Sequence, residues 1–293
     1  MLNPNTDYHQ PILVKEIIDF FDLQPNQKVI DATLGGGGHT EEILKHSVKV
    51  LGLDQDQEAI DYVTNNNPHP NLSIVRANFS ELSQIAKEKN FIPADAILFD
   101  LGVSSHQFDA DYRGFSVNKP AELDMRMDQN LAVKASDLVA VLNHKELTKL
   151  LSYYGGETKA HQIAKAIVEA RNRAPITNTL QLARLVEKVY RSPHGRIHPA
   201  TKTFQALRMA VNDEVNSLKL TLPQILEVLS PGGKIAIISF HDGEDRIVKH
   251  FLKQQADLNH LTNITKKPIT PSSEEIQQNI RSRSAKLRLA IKN

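Results

Sequence analysis

Residues 31–40 read Asp-Ala-Thr-Leu-Gly-Gly-Gly-Gly-His-Thr, four consecutive glycines between an apolar run and a helix start near His39. Glycine reaches φ > 0 and lets the backbone approach a ligand, at an entropic cost that a flexible turn does not need four times over. The surrounding stretches decide the setting. Short apolar runs at Lys28 to Thr33, Lys49 to Asp54, Asn71 to Ala77 and Ala94 to Asp100 alternate with helix-like segments beginning near His39, Asp56 and Ser80. That alternation predicts an α/β fold with a parallel sheet. In a doubly wound sheet, ligands bind at the carboxyl ends of the strands, and the turn after the first strand commonly meets them. A glycine turn in that place, followed by a helix N-terminus, reads as a nucleotide site.

The chain has 293 residues, 40% hydrophobic and 24% charged, enough to bury a sizeable core. Apolar runs such as Ile235 to Ile238 fall far short of the roughly 20 residues of a membrane span. The first residues, MLNPNTDYHQ, carry no secretory pattern, so a cytoplasmic protein with no membrane partner is expected. The absence of cysteine excludes disulfides, thiolate metal sites and a cysteine nucleophile. His39, His161, His198 and His241 lack a metal-ligand spacing, and no metal is expected. With a net charge of only +1, any nucleic-acid contact must come from local patches.

After Asp100 the rhythm breaks, and the next convincing strand is Lys234 to Phe240, preceded by the turn Ser230-Pro231-Gly232-Gly233. Leu138 to Tyr153, Glu157 to Arg173 and Thr179 to Tyr190 carry apolar residues at helical spacing, which predicts an inserted helical subdomain rather than a long loop. Phe204 to Leu229 reads as one or two helices returning to the sheet, and Lys286 to Ile291 as a last strand. The expected division is a core of residues 1–105 and 206–293 around an insertion of residues 106–205. The basic tail from Arg281 reads either as a nucleic-acid-facing patch or as a solvated strand edge.

The dinucleotide fingerprint needs a third glycine where this chain has Thr40 or Glu41, and a P-loop lysine is missing, which disfavours a nicotinamide dehydrogenase or a triphosphate site. What remains, Asp31 at the strand end with Gly35 and Gly37, resembles the first motif of Rossmann-like S-adenosylmethionine methyltransferases, with Thr33 in place of the first glycine. Asp54 ends the second strand, where such folds accept ribose hydroxyls and where an Asp also serves as a turn or cap residue. Phe79 follows the third strand and suits either an adenine face or the core.

At the fourth strand end stand Asp100-Leu-Gly-Val-Ser-Ser-His-Gln107, then Arg113-Gly-Phe-Ser116 and Leu123-Asp-Met-Arg-Met-Asp128. Further on come Gly156-Glu157, Ile163 to Val168, HPATKTFQALRMAVNDE from His198 and RSRSAKLR from Arg281. Together these resemble the MraW-type 16S ribosomal RNA cytosine-N4 methyltransferases over nearly the whole chain. The resemblance implies a Rossmann-like methyltransferase core, S-adenosylmethionine as cofactor, and 16S ribosomal RNA or the small subunit as partner. Methylation is implied at the N4 amine of a cytosine in the decoding region, with the helical insertion as RNA-recognition subdomain. It places the cofactor on Gly37, Gly38, His39, Asp54, Phe79, Asp100 and Gln107. One departure concerns the usual Phe-His-Ser-Leu-Glu-Asp-Arg motif, which here reads Phe240-His-Asp-Gly-Glu-Asp-Arg246 and puts the role of that turn in question.

Asp100 is the candidate catalytic acceptor, facing either the cofactor or the target amine, with a purely structural cap as the competing reading. Without cysteine, the C6 adduct that ordinarily serves pyrimidine C5 methylation is closed, which leaves N4 or another heteroatom. Arg113 with Phe115, Arg126, and Arg208 with Asn212 are candidate RNA contacts, set against simple ion pairing with nearby acids. A non-catalytic RNA-binding protein on the same fold is the alternative, and the sequence leaves monomer and homodimer both open.

Overall fold

The computed structural model describes residues 11–190 and 198–293; the polar N-terminal decapeptide lies outside the described residues. Two compact units emerge, Met1–Ser104 with Val215–Asn293, and Ser105–Glu214.

The first unit starts with helix α1 (Val14–Phe21), strand β1 (Lys28–Asp31), α2 (Gly38–Leu44), β2 (Lys49–Asp54), α3 (Gln57–Asn66), β3 (Leu72–Arg76), α4 (Leu82–Glu88) and β4 (Ala94–Asp100). The second contains α5 (Ser105–Asp109), α6 (Ala135–Val141), α7 (His144–Gly155), α8 (Ala160–Arg171), α9 (Thr179–Tyr190) and α10 (Thr201–Val211). The chain then returns through α11 (Glu214–Val228), β5 (Leu229–Ser239), α12 (Asp242–Asp257), β6 (Leu261–Asn263), α13 (Ser273–Gln278) and β7 (Lys286–Lys292).

The seven strands form one sheet in the order β3-β2-β1-β4-β5-β7-β6. β1 to β5 run parallel, and β7 is antiparallel to both β5 and β6. Because side chains alternate across a strand, the apolar runs feed both faces. Ile30, Leu51, Ile97, Phe99 and Ile237 pack with α4, α11 and α12 on one side, while Val29, Val50, Leu98 and Ile238 pack with α1 and α2 on the other. Strand order reverses between β1 and β4, so their carboxyl ends open the crevice where ligands of this fold class bind.

Several sequence expectations change. The stretch from Leu138 to Tyr153 is two helices, because Asn143 caps α7 by accepting from Lys145 N and Glu146 N while Glu146 accepts from Asn143 N. The return to the sheet falls at Val215 rather than 206. α10 packs on α7, where a side chain on Gly155 would collide with the Lys202 carbonyl, and Asp213 at φ 50° breaks it from α11. The Ser230–Gly233 turn is absorbed into an irregular start of β5, opposite a register shift at Ala94/Ala96.

The basic tail is not a strand edge, and three of its five cations are engaged, while Arg281 and Arg283 are exposed. β7 lies inside the sheet, Arg288 is buried and donates to both Asp245 oxygens, and Lys286 pairs with Asp242. Lys292 donates to the Leu226 and Leu229 carbonyls.

Candidate active site

At the end of β1, Asp31 is buried and accepts from Thr40 Oγ1 at 2.7 Å and from Thr33 N at 3.2 Å. Burial raises its pKa against those two donors and the nearby His39. The Asp100 amide donates to Thr33 Oγ1 at 2.6 Å, which ties the ends of β1 and β4 together. His39 Nε2 lies 2.9 Å from the Ile12 carbonyl, which can only accept, so that nitrogen carries the hydrogen. The other ring nitrogen faces Asp100 Oδ2 at 3.7 Å, with both side chains more than nine-tenths buried.

At the end of β2, Asp54 accepts from Gly35 N and Asp56 N, each at 2.8 Å. Desolvation still raises its pKa from the ordinary 3.8 to about 6, against both amides. A carboxylate held this short of solvent gains from further hydroxyl donors, and the two hydroxyls of a ribose supply that chemistry. Next to it, Gly35 sits at φ 51°, and an added Cβ would meet only the Thr33 carbonyl at 3.9 Å. The loop is therefore open at Gly35.

The other glycines are small for a different reason. A Cβ on Gly37, at φ 78°, would press on Val63 at 3.0 Å, and one on Gly38 would lie 2.8 Å from Pro11 Cδ. Gly37 N also donates to the Leu34 carbonyl. Phe79 is half-buried and meets Phe99 edge-on at 6.0 Å, so part of its ring is core. Gln107 is buried on α5 in the helical unit. Six of the seven expected cofactor residues thus lie at the carboxyl ends of β1 to β4 or just beyond them, and the seventh belongs to the other unit.

Of the five expected RNA contacts, Arg113, Phe115 and Asn212 are buried in the helical unit, and Arg126 and Arg208 are partly exposed on it. Arg113 is almost fully buried and donates to the Arg126 and Met127 carbonyls at 3.0 and 2.9 Å, with its guanidinium 5.9 Å from the buried Phe115 ring. Asn212 accepts from Met127 N at 2.7 Å and donates to the Met125 and Arg208 carbonyls. Arg208 makes a two-pronged pair with Glu214. Arg126 pairs with Asp124 through two nitrogens and donates to the Gln129 and Leu131 carbonyls. Burial pushes the Asp124 carboxyl up, but Arg126 outweighs it and holds the pKa below its ordinary value. Arg113, Arg126 and Asn212 brace the loop around residues 113–127, and Arg208 holds Glu214 just past α10.

Sequence reasoning passed over Thr40 and Ile12, which orient Asp31 and His39. Neither has a local signature: Thr40 reads as a helix residue, and Ile12 contributes only its carbonyl.

The sequence pattern of the MraW methylase family matches residues 6–293. The chain belongs to that family. Among curated relatives, ribosomal RNA small subunit methyltransferase H of Halothermothrix orenii is 43% identical, over 96% of this chain and 97% of its own. The protein of the same name from Caldicellulosiruptor bescii is also 43% identical, over 97% and 99%. An rRNA methylase from Streptococcus thermophilus shares 12% identity over 94% of each chain at a TM-score of 0.45, so the fold reading here stands on the sheet order itself.

Family membership also frames the altered turn. His241 Nδ1 accepts from Gly243 N and Glu244 N, capping α12, and its Nε2 lies 2.9 Å from Glu244 Oε1. The capping imidazole, His241, and Glu244 are both among the residues this chain keeps from the family motif, so the cap stands despite Asp242 and Gly243. The extra charge of Asp242 is met by Lys286, which holds its pKa down.

Proposed function

We propose that this protein catalyses S-adenosylmethionine-dependent methylation of the exocyclic N4 amine of a cytosine in the decoding region of 16S ribosomal RNA. The carrying observation is the buried group of Asp31, His39, Asp54 and Asp100 gathered around an open glycine loop where β1 and β4 part. Family membership along nearly the full chain, and relatives named as small-subunit ribosomal RNA methyltransferases, support the same reading.

When bound, the cofactor supplies an electrophilic sulfonium methyl group. Asp54 would accept from its ribose hydroxyls, the glycine loop with His39 and Phe79 would line its place, and Gln107, on α5, is the remaining residue that the family resemblance assigns to it. A cytosine amine is a weak nucleophile because its lone pair is delocalised into the ring. A carboxylate that accepts from N4–H localises that pair, and Asp100 is the group for this role: its amide is held by Thr33 Oγ1 at the end of β4, and its carboxylate lies beside His39. Positioning of this kind is worth roughly 7–11 kcal/mol of the barrier, so neither a strong base nor a covalent intermediate is required. The lack of cysteine closes the usual C5 route.

The test is transfer of labelled methyl from the cofactor to small subunits or 16S RNA, followed by nucleoside analysis. N4-methylcytidine is the expected product. Label on another position refutes the N4 assignment, and no incorporation by cofactor-bound protein refutes the enzyme.

A further inference from the structure

Arg113, Arg126 and Arg208 are engaged by partners within the helical unit, whose exposed cations lie elsewhere. Between α8 and α9 runs a groove of about 600 Å³, within the ~300–1,000 Å³ span of ligand clefts. Its α8 wall is Lys159, Gln162, Ala166, Glu169 and Arg173, at three- and four-residue spacing, and Lys188 rises from α9. Lys159 and Arg173 are fourteen residues apart in sequence, roughly 20 Å at the helical rise.

Charge in the groove is one-sided. Glu169 is its only acid and lies 3.8 Å from the Lys165 ammonium one turn back. Among the described residues, no acid pairs with Arg173 or Lys188, or with Arg184, exposed one turn before Lys188. Lys159 is held in place, with its ammonium 4.5 Å from the Tyr190 ring centre and donating to the Val189 carbonyl. The Tyr190 hydroxyl in turn donates to the buried Glu157, which also accepts from Lys159 N at 3.0 Å. One cation is therefore preset, and two more are on mobile stems along the same channel.

We propose that the α8–α9 groove holds the phosphodiester backbone of single-stranded RNA, with Arg173 and Lys188 neutralising phosphates and Lys159 as the fixed end. This rests on the proposed RNA substrate and adds where the strand is gripped. Such contacts carry no base specificity and set register and affinity.

The experiment uses the full chain and a single-stranded RNA oligonucleotide of mixed sequence, with affinity read by fluorescence anisotropy from 50 to 200 mM salt. Each phosphate contact contributes about 0.7 to the salt slope on single strands. The double variant Arg173→Gln, Lys188→Gln is therefore expected to lower the slope by about 1.4, so that wild type loses ~7-fold more affinity than the variant over that range. Each single variant should lower it by about half as much. Lys249→Gln with Lys253→Gln, exposed on α12, removes the same charge elsewhere and should leave the slope unchanged.

An unchanged slope in the double variant, or an equal fall in the α12 control, overturns the proposal. So does an acidic peptide that needs Arg173 and Lys188 for binding while RNA does not. Cofactor affinity, read in parallel by calorimetry, should not move in any variant. Wild type that binds RNA through the groove but methylates none refutes the enzymatic reading alone. Full methylation with an unaltered slope in the double variant refutes the groove alone.

Discussion

Asp54 turns the site's electrostatics into a measurable pH dependence. Its carboxyl is raised from 3.8 to about 6 chiefly by burial, with the Asp56 and Gly35 amides opposing. If ribose hydroxyls donate to the ionised form, as proposed, cofactor affinity rises with pH through about 6 and levels off above 7. At pH 5 about one site in ten is ionised, which gives roughly tenfold weaker binding than at pH 8. Stability of the unliganded protein runs the opposite way. A carboxyl whose folded pKa exceeds its unfolded value stabilises the fold fully below 3.8, and that contribution is lost as pH rises through about 6. The loss is at most about 3 kcal/mol, since Asp54 keeps some solvent contact. Bound ligand should therefore raise Tm more at pH 7.5 than at pH 5. Asp54→Asn removes the titration and one acceptor for the two amides, and should weaken binding by about 2 kcal/mol, ~30-fold, at neutral pH. Calorimetric titration of S-adenosylhomocysteine between pH 5 and 8 measures the affinities, and calorimetric unfolding with and without it measures the Tm shifts. A flat profile in folded wild type, or the same slope in Asp54→Asn, refutes the reasoning.

Three further outcomes follow from the packing. Gly38→Ala places a methyl 2.8 Å from Pro11 Cδ and should cost about 1–3 kcal/mol of stability, read by calorimetric unfolding. Arg113→Met orphans the Arg126 and Met127 carbonyls and should destabilise by about 2–4 kcal/mol; if it leaves Tm intact and only weakens RNA binding, Arg113 is a substrate contact after all. Lys286→Ala breaks the exposed pair with Asp242 and should change stability by less than about 1 kcal/mol, with methyl transfer unaltered.

Local pattern along the chain specifies one part of this protein. Short continuous apolar runs between turn formers, alternating with helical stretches, name the central strands because a parallel sheet is buried on both faces, and the glycine run marks the turn after β1. Motif order along the chain carried the family. β6 escaped because three residues show no period, and the break between α6 and α7 was hidden because Leu142 continues the apolar spacing across the Asn143 cap.

Tertiary structure alone decided what each charged or small side chain is for. Arg288 looked like part of a basic tail until α12 supplied Asp245 from 43 residues away, and Arg113 looked like a phosphate ligand until its guanidinium was found on the carbonyls of its own loop. Gly37 and Gly38 owe their lack of side chains to Val63 and Pro11, and Gly35 alone of the three faces open space. The physical reason is that secondary structure follows from periodicities within a few residues, whereas a charge or a missing side chain takes its meaning from neighbours that only the folded chain brings near.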